Sequence, residues 1–407
     1  MMKKIGTCLD TAAYCLIALI PFSMAIAPAP ATVFLGVGCF FFLLKRILSR
    51  ERIFSPNPLA FPLLLFIVIS CLSVINSVDL KDSFNGGISR LLYQVLLFFV
   101  VSEVITSRKR LQGVVASVAL GLLLASFDCF WQVTNGRDFI MKYAPVVNIG
   151  IVRATASFKD SNTLGVYLSG FVPLVMGLAL YHFKGAKKIG FLGITLITLA
   201  GVVLTYSRPT LLAVYVSLLV FGIARKGKML LGFLIVLTLL APFLIPASVK
   251  EWARGVDYNP LRFMCNDDRI AAYRNSLNMI RAHPVIGVGT GAFMKSYKYY
   301  KEFPEYRGVV TPGEMKAHNN FLHMAAEVGF LGLGIFLWLL YRLFREAGRV
   351  YRALSDTYLK VAALSAAVCL VSFLVNGLTE SSLFYSRVAI LFWYVAGLLL
   401  AFRNMRS

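Results

Sequence analysis

The chain has 407 residues, of which 58% are hydrophobic and only 15% charged, and its mean hydropathy is +0.74. A soluble domain could not cover that much apolar surface, so the composition excludes a soluble globular protein and points to a polytopic membrane protein. The formal net charge of +22 invites a nucleic-acid partner, but its distribution along the chain argues against one.

Apolar runs long enough to cross a bilayer, about 17 to 25 residues each, recur along almost the whole chain. They cover residues 11–27, 31–44, 59–75, 91–105, 114–132, 163–182, 189–206, 209–224, 229–245, 320–343, 358–378 and 388–402. The pattern predicts about twelve helices, the second and eighth short. Basic clusters follow every second span: Lys3 and Lys4; Lys45, Arg46, Arg50 and Arg52; Arg108, Lys109 and Arg110; Lys184, Lys187 and Lys188; Arg225, Lys226 and Lys228; Arg342, Arg345, Arg349 and Arg352; Arg403 and Arg406. Short basic loops stay cytoplasmic. One register satisfies every cluster, with both termini cytoplasmic and an even number of helices. The expected fold is an all-α polytopic membrane protein, one integral membrane domain over residues 1–407. The first segment reads either as a retained helix or as a signal peptide, with Lys3-Lys4 ahead of an apolar core and Ala25-Ile26-Ala27 imitating a cleavage site.

The seven cysteines show neither metal-ligand spacing nor a paired framework. Cys15, Cys39, Cys71 and Cys369 lie in apolar runs and read as small hydrophobes. There is no zinc motif, phosphate loop or ATPase module, so no metal and no other cofactor is expected.

Two outward loops are long, 133–162 and 246–319. The second carries charges of both signs together with apolar residues, and is expected to fold as a cap of short helices between the ninth and tenth spans. Basic residues on this face break the positive-inside pattern. Arg208, in Thr205-Tyr206-Ser207-Arg208-Pro209, stands between two apolar runs, where a guanidinium must find an anion, a water-filled cavity or the interface. Arg153 opens the stretch Arg153-Ala154-Thr155-Ala156-Ser157-Phe158-Lys159-Asp160-Ser161-Asn162. The bland alternative for Lys142, Lys159 and Arg208 is interfacial snorkelling.

Within the long loop, Asp267-Asp268 signal a helix start. At about 100° per residue, Arg269, Tyr273, Ser276 and Ile280 share one face, while Arg274 and Arg281 share another. The two arginine sets cannot both face one ligand. Arg269 lies in the first turn, where free N–H groups also attract anions; its alternative is a salt bridge with Asp267 or Asp268. The helix should end at His283-Pro284. The following Val285-Ile286-Gly287-Val288-Gly289-Thr290-Gly291-Ala292-Phe293 lacks the strand–helix context of a dinucleotide fingerprint. It reads as a tight turn that brings backbone close to backbone or to a ligand. His318 stands at the outer end of the tenth helix, where a base could touch water and a lipid-linked substrate. His323, roughly 140° further round the helix, reads as a packing residue. Glu327, on nearly the face of His318, could orient a neighbour or pair with an arginine.

The segments 153–162, 207–209, 269–293 and 318–332, in that order, resemble the O-antigen ligase superfamily, which includes lipopolysaccharide O-antigen ligases, related polymerases and bacterial protein O-oligosaccharyltransferases. The first five helices resemble it only in hydropathy. This chain has Tyr273 where the family often has tryptophan and Pro209 where glycine is common, and neither change removes a charged group. The resemblance implies a metal-independent glycosyltransferase of a bacterial inner membrane, with its active site facing the periplasm. The glycan would pass from undecaprenyl pyrophosphate to a sugar hydroxyl of lipid A–core. His318 would act as general base, with Arg208 and Arg269 stabilising the leaving pyrophosphate, and Arg153, Asn162, Tyr273, Asn319 and Glu327 would bind substrate. A polymerase using a second lipid-linked glycan as acceptor has the same chemistry. A transporter or flippase for lipid-linked sugar is the alternative from a different class; no internal repeat favours it, and the polar cluster sits at one face.

Overall fold

The computed structural model describes residues 2–405 except 149, 245–249, 252–253, 256, 258, 260–264, 266, 303–311 and 385. Among the described residues the protein is an array of long apolar helices. These are α1 (Met2–Ile26), α2 (Pro28–Leu48), α3 (Ala60–Ser73), α4 (Leu80–Val104), α5 (Arg108–Asn135), α6 (Ser161–Tyr181), α7 (Gly185–Leu204), α8 (Arg208–Ala224) and α9 (Lys228–Leu244). Two shorter, more polar helices follow, α10 (Asp267–Ala282) and α11 (Phe293–Tyr300). The chain then returns to the apolar array with α12 (Asn320–Ala353), α13 (Thr357–Asn376) and α14 (Ser386–Ala401). Nine of the described helices are long and apolar enough to cross a membrane, and three shorter apolar helices accompany them. The protein is thus a mostly helical, multi-pass membrane protein.

Two helices form the centre. The apolar window of α6 is 94% buried within the protein, whereas that of α7 is only 22% buried and faces outward. A helix that is apolar all round belongs in the interior. Small and hydroxylated residues let its neighbours approach: Ser372 Oγ of α13 donates to Ser169 O at 2.9 Å, and Asn376 Nδ2 to Ser169 Oγ at 3.1 Å. The other central helix, α14, packs against α4 and α13. The first helix is tied into the bundle by Tyr167 Oη, which donates to Pro21 O at 3.0 Å, and by Ser157 Oγ, which donates to Ala25 O at 2.6 Å.

Three details depart from the sequence reading. The loop 133–162 contains a two-stranded antiparallel hairpin, β1 (Val146–Asn148) and β2 (Ile151–Arg153), a small addition to a mostly helical protein that is consistent with the expected all-α class. β-branched residues on either side of Gly150, which takes φ 71°, suit a tight hairpin. Helix α4 begins well before residue 91: Asp79 caps it by accepting from Asp82 N at 3.0 Å, and a π-helical turn over Ser83–Ile88 carries it through Gly86-Gly87. Polar and glycine residues hid that start from a hydropathy pattern. Helix α12 is broken at Gly329, which adopts φ 69°. The donors freed by the break are used, since Phe330 N reaches Pro284 O at 2.8 Å and Leu331 N reaches Val285 O at 3.3 Å.

The glycine-rich string after α10 supplies those acceptors. Val288 N bonds Ala326 O at 2.8 Å and Gly289 N bonds Glu327 O at 3.0 Å, so the loop lies on the backbone of α12. A side chain at Gly291 would place its Cβ 2.8 Å from Gly87 N. The string therefore brings backbone close to backbone.

Candidate active site

The end of the bundle nearest α10 gathers the polar residues singled out above. Arg153 closes strand β2, and its guanidinium donates to Thr205 O at 3.0 Å and to Asn162 Oδ1 at 2.9 Å. Asn162 stands in the first turn of α6, which Asp160 caps by accepting from Thr163 N at 2.7 Å. The Tyr206-Ser207-Arg208-Pro209 turn is set by Tyr206 at φ 47°. Proline in the first turn of α8 suits the helix start, where its missing N–H costs nothing. Arg208 is half-buried and lies within electrostatic range of both Arg153 and Arg269.

These groups converge on a residue that the sequence reading did not single out. Glu380, in the turn between α13 and α14, is an ion-pair partner of Arg269, accepts from Asn162 Nδ2 at 2.7 Å and meets His318 Nδ1 at 3.4 Å. Its side chain is 4% exposed. A carboxylate that deep is tolerable only because several donors surround it; removing one partner of such a pair costs about 3–5 kcal/mol.

His318 precedes α12 and adopts φ 49°. Tyr273 Oη of α10 donates to its carbonyl at 3.2 Å. Asn319 then caps α12, accepting from Phe321 N at 2.8 Å and Leu322 N at 3.0 Å, while its amide donates to Leu378 O at 2.8 Å. Burial, and then the hydrogen bond with Cys265, push the Tyr273 phenol above its ordinary range, which keeps it a neutral donor. Burial, helped by Arg269, pulls the Arg153 guanidinium below its ordinary range, and Asp160 and Glu380 oppose that.

The two arginine faces of α10 separate as the helical phase requires. Arg269 turns inward to Glu380, whereas Arg274 pairs with Glu302 at 2.9 Å on the surface. Glu327 is elsewhere. It contacts His323 Nε2 at 3.3 Å and accepts from Phe293 N at 3.3 Å, the first residue of α11. The phase argument that joined it to His318 does not apply, because His318 lies outside the helix in a left-handed conformation. His323 is buried, with Nδ1 3.1 Å from Ser381 Oγ and its ring stacked on Phe384 at 3.6 Å.

Two further cations approach this end. Lys316 is pushed down to about 8 by burial and then by Arg90, while Asp160 and Glu380 act the other way. Arg90 lies on α4 and donates to Phe384 O at 3.3 Å. A signal for Glu380 existed in the sequence: it is an acid in the short segment Thr379-Glu380-Ser381-Ser382 directly after an apolar run. Among the described residues, no group of three or more His, Cys, Asp or Glu is placed to hold a metal ion.

Residues 193–337 match the model of a family described as O-antigen ligase. That segment contains Arg208, Arg269, Tyr273, His318, Asn319 and Glu327, while Arg153, Asn162 and Glu380 lie outside it. No curated protein matches the chain. Over residues 193–337 the chain is thus similar to that family, and the likeness supports glycan transfer of the O-antigen ligase or polymerase type.

Proposed function

We propose that the chain transfers O-antigen glycan from undecaprenyl pyrophosphate to a sugar hydroxyl of lipid A–core, at the periplasmic face of a bacterial inner membrane. The observation that carries this reading is the single carboxylate of Glu380 contacting both His318 and Arg269, with Arg153 and Arg208 beside them. In this reading about twelve helices span the bilayer with both termini cytoplasmic, α1 is retained, and residues 246–319 form the periplasmic cap.

The chemistry follows from the arrangement. With Nδ1–H directed at Glu380, Nε2 of His318 is the lone-pair nitrogen, as a general base requires. It takes the proton of the acceptor hydroxyl as that oxygen attacks the anomeric carbon. The bond from the anomeric carbon to the phosphate oxygen breaks, and the lipid diphosphate leaves with the electron pair. Arg208, Arg269 and Arg153 stabilise its growing charge, and they are fixed before the reaction begins. A guanidinium fork can hold a carboxylate along one edge and a phosphate along another. Direct displacement inverts the anomeric centre. Asn162 and Tyr273 hold Arg153 and His318 in place, Asn319 sets the start of α12, and Glu327 acts through the loop behind the site.

The test offers purified protein a lipid-linked glycan with lipid A–core, with a second lipid-linked glycan, or with a serine peptide. Transfer to lipid A–core supports the ligase; transfer only to the second glycan makes the protein a polymerase. Movement of the glycan donor across vesicles without any transfer would overturn the enzyme reading.

A further inference from the structure

Across the Glu380 turn from Arg153 and Arg208, a narrow cavity of about 60 Å³ lies among α3, α4, α12 and α14. Phe66, Phe336 and Trp393 give it an apolar, aromatic wall, and Arg90, Gln94 and Glu327 give it a polar one. Glu327 is already engaged by His323 and by Phe293 N. Gln94 is not. It is 5% exposed, and its amide nitrogen has no hydrogen-bond partner among the described residues. Buried donors are paired in nearly all folded proteins, so this amide can serve an acceptor oxygen brought into the cavity.

Arg90 stands one helical turn before Gln94, on the same face of α4. It lies within the apolar span Leu80–Val104, where a guanidinium calls for an anion or a water-filled cavity. Its bond to Phe384 O fixes it against the turn that carries Glu380. Arg90 and Lys316 interact electrostatically with each other, as do Arg153, Arg208 and Arg269 on the other side. Both sets reach Glu380, Lys316 and Arg153 through its charge and Arg269 by direct contact.

We propose that Arg90 and Gln94 form a second phosphate-binding subsite, which takes the phosphate of a lipid-anchored acceptor while the aromatic wall receives the adjoining hydrocarbon. The role of acceptor rests on the transfer reading above; the binding of an amphiphilic phosphate does not.

The probe is decyl phosphate, titrated calorimetrically into the purified full-length chain, with inorganic phosphate and decanol as comparisons. Wild type binds two equivalents of decyl phosphate. Arg90→Gln and Gln94→Leu each bind one equivalent with at least tenfold weakening of the second, while Arg208→Lys weakens the other equivalent. Thermal unfolding of each variant establishes that it is folded, and Arg90→Lys recovers part of the lost binding. Two equivalents of unchanged affinity in folded Arg90→Gln and Gln94→Leu would overturn the subsite. Equal affinity for inorganic phosphate at the Arg90-dependent site would overturn its lipid character. In the transfer assay, Gln94→Leu raises the acceptor KM about tenfold and leaves the glycan-donor KM unchanged; the reverse would overturn the acceptor assignment. A wild-type protein that transfers nothing would sink the transfer reading, while the Arg90-dependent binding would still stand or fall on the titration.

Discussion

Nδ1 of His318 faces Oε2 of Glu380 at 3.4 Å, and the other oxygen of that carboxylate is held by Arg269 and Asn162. The imidazole is thereby oriented by the same group that anchors the arginine helix.

Glu380→Gln should lower the thermal midpoint, because it leaves the Arg269 guanidinium without its buried anion, and in the protein that still folds it should lower kcat about 100-fold or more, the range for a lost general-base contribution. Glu380→Asp should recover part of it. Glycan transfer measured across pH, beside thermal unfolding, checks both. Unchanged kcat in Glu380→Gln would remove the carboxylate from orienting the base.

His318→Ala should lower transfer by about 10² to 10⁴ while still binding the lipid-linked glycan. Equilibrium binding and single-turnover transfer separate the two quantities, and near-normal turnover would remove His318 from its role.

Arg208→Lys should stay impaired although the charge is kept, because a lysine cannot offer the planar fork. A loss of one charge-assisted hydrogen bond, about 1.5–3 kcal/mol, corresponds to roughly 10- to 100-fold in transfer. Full activity in this variant would reduce Arg208 to a general electrostatic or snorkelling role.

How legible was all this in the residues? The apolar runs, the inward and outward arginines of α10 and the glycine-rich turn were visible because helical period and hydropathy report them directly. Arg90 was hidden because Gly86-Gly87 and their polar neighbours mask the start of α4, which only its π-turn and the Asp79 cap reveal. Glu327 was misplaced because the left-handed backbone at His318 resets the helical phase. Glu380 escaped because its partners come from remote parts of the chain, so its place as an acid just after an apolar run did not reveal what it pairs with.

Lys316 gives the site a pH dependence of known sign. With its value pushed down to about 8, the ammonium is charged below that pH and progressively neutral above it. Binding of an anionic lipid-linked substrate should therefore weaken between pH 7 and pH 9. Lys316→Arg should flatten that slope, as a guanidinium stays charged throughout. A slope that persists in the variant would place the titration elsewhere.

Gly329→Ala should destabilise the protein, by about 1–3 kcal/mol from the backbone strain alone, since the new Cβ would also run into Val285 O. Thermal unfolding in detergent checks this. An unchanged midpoint would mean that the break in α12 is readily straightened.

The position of Glu380 has a consequence for biogenesis. The carboxylate is reached only after the arginines, the capping asparagine and the imidazole have all been synthesised. A nascent chain that stopped just short of it would hold every cation of the cluster and lack the anion that gathers them. Assembly of the cluster therefore waits until α13 and the turn after it have been made.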